Sequence, residues 1–152
     1  MKDRYLSKAK RIDNGKWVQG YLYGIWEKRY ILWGMTNDVP NMTEVDPTTI
    51  CQCTGLKDKN GKLIWENDVV RFKHEKFDFD YGLEPLKRNC LPRKKEYTRN
   101  YAVEFCNVST CYGLRFRNKS IWFMVHRMTI VMHDTEIIGN IFDNPELLES
   151  ED

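Results

Sequence analysis

The chain has 152 residues, of which 41% are hydrophobic and 13% aromatic, so it can bury a core without metal or disulfide support, and wholesale disorder is excluded. Its 24 basic and 22 acidic side chains leave a net charge of only +2. That excludes a globally charge-steered nucleic-acid binder and leaves only local segregation of charge as a route to such binding.

In chain order, Asn14-Gly15 between Arg11-Ile12-Asp13 and Lys16-Trp17-Val18 reads as a first tight hairpin, because both turn residues tolerate positive φ. Residues 17–22 continue as a strand in which Gly20 marks a bulge or a close approach. A second apolar run, Tyr30-Ile31-Leu32-Trp33, stops at Gly34, and residues 36–41 read as a loop. Residues 45–70 are the most heavily punctuated stretch. Pro47 precedes the β-branched Thr48-Thr49-Ile50, Gly55 breaks that run, and Asn60-Gly61 supplies a second hairpin turn. Leu63-Ile64-Trp65 and Val69-Val70-Arg71-Phe72 are strands split by a polar corner at Glu66-Asn67-Asp68.

From His74 to about Asn100, glycine, proline and mixed charge interrupt every candidate strand, so this region reads as a long basic, loop-like excursion. Residues 101–105 and Leu114-Arg115-Phe116-Arg117 are strands, and the denser apolar runs at 121–125 and 129–132 suit interior strands. Residues 136–142 make a last strand. Asn144-Pro145-Glu146-Leu147-Leu148-Glu149 then has the grammar of a short C-terminal helix, with Asn144 as N-cap and Pro145 at the first position. The expected fold is one mainly β domain over residues 1–152, an open barrel or a two-sheet sandwich carrying the long basic loop and the short helix.

The blocks Arg11-Ile12-Asp13-Asn14-Gly15-Lys16-Trp17-Val18-Gln19-Gly20-Tyr21 and Val45-Asp46-Pro47-Thr48-Thr49-Ile50 resemble the YopX-like family of phage and prophage proteins. So do Thr54-Gly55-Leu56-Lys57-Asp58-Lys59-Asn60-Gly61-Lys62, Glu66-Asn67-Asp68-Val69-Val70 and Ile138-Gly139-Asn140-Ile141-Phe142-Asp143-Asn144-Pro145-Glu146-Leu147-Leu148. The resemblance spans nearly the whole chain. It implies a mainly β domain encoded in mobile DNA, with no catalytic residues to carry over. Two departures stand out. Asn67 replaces the family's usual glycine, and asparagine is the next-best residue for a left-handed backbone. Cys53 replaces a bulky residue, which points to packing.

Candidate chemistry is thin. Cys51 and Cys53 stand two apart, Cys106 and Cys111 five apart, with His126 and His133 downstream. This matches the knuckle spacing of structural zinc poorly, and ordinary buried thiols explain it better. A thiol–imidazole pair between those residues has no surrounding motif. The acid pairs Asp134 with Glu136 and Asp78 with Asp80 each share a strand face, yet acids around turns are usually solvated. No cofactor or metal site and no enzymatic activity are expected.

Two binding readings remain. Lys87, Arg88, Arg93, Lys94, Lys95 and Arg99 are opposed only by Glu96, with Phe77, Phe79, Tyr81 and Tyr97 nearby. Cations that neutralise phosphates beside rings that stack on bases are the usual recipe for single-stranded nucleic acid. The other reading is an interaction or assembly module, since five Trp and eight Tyr favour interfaces. The acidic tail residues Asp143, Glu146, Glu149, Glu151 and Asp152 complement the basic segment for self-association. The leading expectation is a non-enzymatic phage accessory protein that contacts itself or a host protein, with nucleic-acid binding through 87–99 as the alternative. The opening MKDRYLSKAKRIDNGKW lacks the apolar core of a signal peptide, no apolar run is long enough to span a bilayer, and the cysteine count is odd. The expected setting is therefore the bacterial cytoplasm, away from membranes.

Overall fold

The computed structural model describes residues 2–78, 93–107, 110–117, 119–121, 129–130 and 133–149. Within them the chain is mainly β. Strands β1 (Leu6–Lys10), β2 (Trp17–Ile25), β3 (Lys28–Thr36), β4 (Val39–Val45), β5 (Cys51–Lys57) and β6 (Leu63–Trp65) form one sheet in the order β4-β3-β2-β1-β5-β6. A second sheet, in the order β10-β9-β8-β7-β11, contains β7 (Asp68–Asp78), β8 (Arg93–Cys106), β9 (Cys111–Phe116), β10 (Lys119–Ile121) and β11 (Glu136–Asn140). Pairing is antiparallel throughout. Of the two expected architectures, open barrel or two-sheet sandwich, the described residues show two separate antiparallel sheets and no closed barrel.

Both Asn-Gly turns are present. Gly15 adopts φ 67° and its N–H reaches the Arg11 carbonyl at 3.0 Å, while Lys10 and Trp17 pair across the hairpin. Gly61 adopts φ 80° in the second turn. There Asp58, buried beneath the turn, accepts hydrogen bonds from the N–H groups of Asn60 and Lys62 at 2.9 Å. Its other oxygen accepts the Ile137 N–H at 3.1 Å, so this turn also grips the second sheet. Gly20 is a close-approach position: a Cβ there would lie 2.0 Å from the Leu32 carbonyl oxygen. The missing side chain lets the sheet curl until Arg11 bridges to Val45 and Asp46 N–H reaches the Lys10 carbonyl at 2.8 Å. Ala9, Ile31 and Val45 fill the small core inside that curl.

Several expectations are corrected. Residues 36–41 are no open loop. Asn37 and Asp38 both take positive φ in a tight turn, and β4 begins at Val39. Pro40 is tolerated because β4 is an edge strand, where a missing N–H breaks no ladder. Pro47 opens a one-turn 3-10 segment (Pro47–Thr49) capped by the Asp46 side chain, so the strand starts only at Cys51. Where it is described, at 74–78 and 93–100, the expected excursion is strand: β7 and β8 pair in register from Val69 with Ala102 out to Asp78 with Arg93, and residues 79–92 lie outside the described residues. Cross-strand partners hold this ribbon together where local composition argues for loop. Thr129 and Ile130 are helical instead of extended, with the His133 N–H returning to the Thr129 carbonyl at 3.2 Å. The C-terminal helix is only a 3-10 turn, Pro145–Leu148, and Asn144 makes no side-chain cap bond. The candidate strand at 121–125 falls, beyond Ile121, outside the described residues.

The larger core belongs to both sheets. Val70, Phe72, Tyr101, Val103 and Leu114 from the second sheet pack with Ile64 from β6, and Leu56 of β5 lies against them. Burying a side chain such as Phe72 contributes about 2–3 kcal/mol.

Candidate functional site

The blocks that carry the family resemblance converge on the seam between the sheets. Asn67 does adopt the left-handed backbone, φ 66°, and its N–H and C=O bond to Val103 and Ile141. Asp68 is 2% exposed. One of its carboxylate oxygens takes the Trp65 N–H at 2.8 Å and the other takes the Lys8 ammonium at 2.5 Å. Burial pushes the Asp68 carboxyl above its ordinary pKa, and Lys8 opposes that rise. The Lys8 ammonium also lies 5.1 Å from the Trp17 ring and 5.6 Å from the Trp65 ring. Beside it, Asp143 receives Lys10, Asn140 and the Trp17 indole N–H, which together hold its carboxyl down to about 2. Gly139 packs where a Cβ would fall 2.5 Å from the Asn144 side-chain oxygen. These residues join two sheets; each polar group is turned toward a protein partner.

The thiols are packing groups at this seam. Cys51 and Cys53 are both buried and share a face with Trp65, while Gln52 between them points outward. Burial pushes the Cys51 thiol up to about 11 and raises Cys53 as well, so neither is a thiolate at neutral pH. Cys106 and Cys111 face one another across β8 and β9. His133 packs on Phe72 and His74 with its Nδ1 3.1 Å from the Lys73 carbonyl. Cys90, His126 and Asp80 lie outside the described residues. Among the described residues, no group of three His, Cys, Asp or Glu is placed to hold a metal ion. Asp134 and Glu136 both engage Lys59, at 3.5 and 3.0 Å.

Of the six basic candidates, only Lys94, Lys95 and Arg99 have described side chains. Lys87 and Arg88 lie outside the described residues, and for Arg93 only the backbone position, paired with Asp78, is described. Lys94 lies on one face of the ribbon, held by Glu75 at 2.6 Å and Glu96 at 3.3 Å. Lys95 and Arg99 fall on the opposite face, because strand side chains alternate.

What sequence reasoning missed is an apolar face on β2, β3 and β4. Tyr21 pairs with Leu32 and Leu32 with Met42; Tyr23 pairs with Tyr30; Met35 pairs with Pro40. Directly paired residues share a face, so these side chains form one surface. Tyr21, Tyr23, Ile25, Met35 and Met42 are all exposed large hydrophobics. At the β2–β3 tip Trp26 is 91% exposed on a backbone with φ 59°. A shallow cavity of about 520 Å³ lies there, lined by Ile25, Trp26, Glu27, Lys28 and Tyr30. The signal in the sequence was the spacing Tyr21-x-Tyr23-x-Ile25. It reads equally well as a buried face until the partner strands are known.

An antiparallel two-sheet β protein with its sequence landmarks at the seam is the class that the structure defines. The profile of the YopX protein family matches residues 9–149, nearly the whole chain, and the chain belongs to that family. No curated protein matches it.

Proposed function

We propose that the protein is a non-enzymatic interaction and assembly module whose contact surface is the outer face of β2–β4, and that its occupant is a second copy of the chain. Trp26 carries this reading. A bulky residue at φ 59° holds a backbone conformation that costs about 1 kcal/mol or more, and here it presents an indole to solvent. Burying that indole in an interface returns more than the strain costs. With Tyr21, Tyr23, Ile25, Met35 and Met42, the exposed apolar area is about 700 Å², taking about 200 Å² for each large side chain. That approaches the ~800 Å² per partner of a standard interface and exceeds the usual largest patch of a monomer.

The surrounding charge does not oppose self-docking, since Lys28 and Glu44 neutralise each other at 3.0 Å. Edge-to-edge pairing through β4 is blocked at one end by Pro40 and at the other by Ile12, whose N–H donates to the Glu44 carbonyl. Face-to-face packing about a two-fold axis fits what remains. An accessory role in a phage or prophage, which the family resemblance implies, and a place in the host cytoplasm are part of the same proposal.

Sedimentation of the full chain tests it. A reversible dimer is expected, converted to monomer by Tyr23→Lys or Met42→Lys with the unfolding midpoint retained. A wild-type monomer at about 100 μM, well above the dissociation constant of a standard interface, sinks the proposal.

A further inference from the structure

β8 and β9 pair antiparallel from Ala102 with Arg115 to Cys106 with Cys111, the last rung before the turn. Side chains of directly opposed residues share a face, so the two thiols project together. The rung beneath them is fixed from the other face, where Phe105 meets Tyr112 edge-on with ring centroids 5.3 Å apart. The cysteine face is the one that carries the Glu104–Arg115 ion pair at 3.3 Å, away from the core line of Val103 and Leu114. Cys106 is 9% exposed, Cys111 is more open, and neither is joined in a disulfide.

Opposed residues of an antiparallel pair have Cα atoms about 4.5–5.5 Å apart, within the ~4.4–6.8 Å that a disulfide spans. The Cβ atoms need to approach by only about 1 Å. A terminal rung makes that adjustment easily, because it has a paired neighbour on one side only. Cys51 and Cys53 differ on both counts. They follow one another along a single strand, with Cα atoms about 6.6 Å apart and Cβ directions parallel instead of convergent. Each is only 1% exposed.

We propose that Cys106 and Cys111 form a thiol–disulfide exchange site whose substrate class is the low-molecular-weight disulfide, represented by glutathione disulfide. The more exposed Cys111 loses its proton and attacks first. Its sulfur bonds to one glutathione sulfur, the glutathione S–S bond breaks, and the first glutathione leaves as a thiolate that takes up a proton. Cys106 then loses its proton and attacks the Cys111 sulfur, expelling the second glutathione in the same way. Two electrons pass from the protein to the glutathione disulfide, one S–S bond replaces another, and two glutathione thiols are released. The new bond staples the β8–β9 hairpin beside its turn, and a reducing thiol pool reverses it. The site uses no residue of the β2–β4 face and does not depend on dimer formation.

The folded full chain is incubated with glutathione disulfide at about pH 8, where ordinary thiols begin to ionise. Remaining thiols are alkylated in denaturant, and the unreduced protein is cut with trypsin. Both cysteines fall on one peptide, Asn100–Arg115, because no lysine or arginine lies between Arg99 and Arg115. That peptide should lose two hydrogens, take no alkyl group and carry no glutathione, and dithiothreitol should restore both thiols. The peptide holding Cys51 and Cys53 should take two alkyl groups. Cys106→Ser removes the second attacking thiol, so Cys111 should accumulate a stable glutathione adduct. Cys111→Ser should abolish the two-hydrogen loss. Alkylation of both cysteines in the wild-type peptide overturns the proposal. So does a lasting glutathione adduct on it, equal closure of Cys51 with Cys53, or a bond that forms only in denaturant. The wild-type readout decides even where a variant fails to fold.

Discussion

The β2–β4 end of one sheet and the β7–β8 ribbon of the other both project past the core on alternating strands, yet they present opposite chemistry. At β2–β4 the outward face is tyrosine, methionine and isoleucine, with its one neighbouring charge pair closed. On the ribbon, strand alternation puts Lys94 with Glu75 and Glu96 on one face and the Arg99 guanidinium against the Tyr97 ring on the other. The lesson is that a strand's period assigns residues to faces but does not say which face meets water. That depends on how far the neighbouring sheet extends.

Breaking the joint between these regions has the largest expected effect. Lys8→Met leaves the Asp68 carboxylate buried without its cation, which costs about 3–5 kcal/mol at neutral pH by urea unfolding. Lys8 lowers the Asp68 pKa against the dominant effect of burial, so the variant's carboxyl rises further. A group whose folded pKa exceeds its unfolded value destabilises as pH rises through that interval. The deficit therefore shrinks on going from pH 7 to pH 5. A pH-independent deficit is the contrary result.

Gly20→Ala breaks the apolar end alone. Its Cβ would meet backbone at 2.0 Å, so β3 must shift and the curl that closes Arg11 on Val45 opens. About 2–3 kcal/mol is lost, and the protein still unfolds as a β structure by circular dichroism. Trp26→Gly sharpens the comparison instead. Relief of the left-handed backbone roughly offsets the flexibility glycine adds to the unfolded chain, so stability changes by about 0.5 kcal/mol or less while the dimer dissociates.

The effect at Asp143 shows only at acid pH. Its carboxyl is held at about 2, below the ordinary 3.8, so it contributes stability above the ordinary value that is lost as pH falls through about 2. Its carboxylate is partly exposed, which limits the contribution to about 1 kcal/mol. Asp143→Asn should flatten the acid limb between about pH 4 and pH 2, read by the fluorescence of Trp17, whose indole N–H is 2.7 Å from the carboxylate.

Local chemistry made part of this protein legible without coordinates. Asn14-Gly15, Asn60-Gly61, the tight approach at Gly20 and the left-handed corner at Asn67 are all requirements of the backbone itself, so the residue type announces them. The β class and the family follow from the same punctuation. Pairing was not legible. Residues 74–78 and 93–100 look like loop because their own composition favours it, and they become strand because each finds a partner across the ribbon. The short C-terminal segment has residue types suited to helix caps but stays 3-10, because so few residues propagate too little hydrogen bonding to stabilise an α turn.

The candidate surfaces divide in the same way. Composition told that aromatics were abundant and that basic residues cluster locally between 87 and 99. Only register separated Lys94 from Lys95 and Arg99, and only sheet order left Tyr21, Tyr23 and Met42 uncovered. Turn geometry is written within three or four residues. The side of a strand that water reaches depends on contacts between residues dozens of positions apart, and for that the tertiary structure was required.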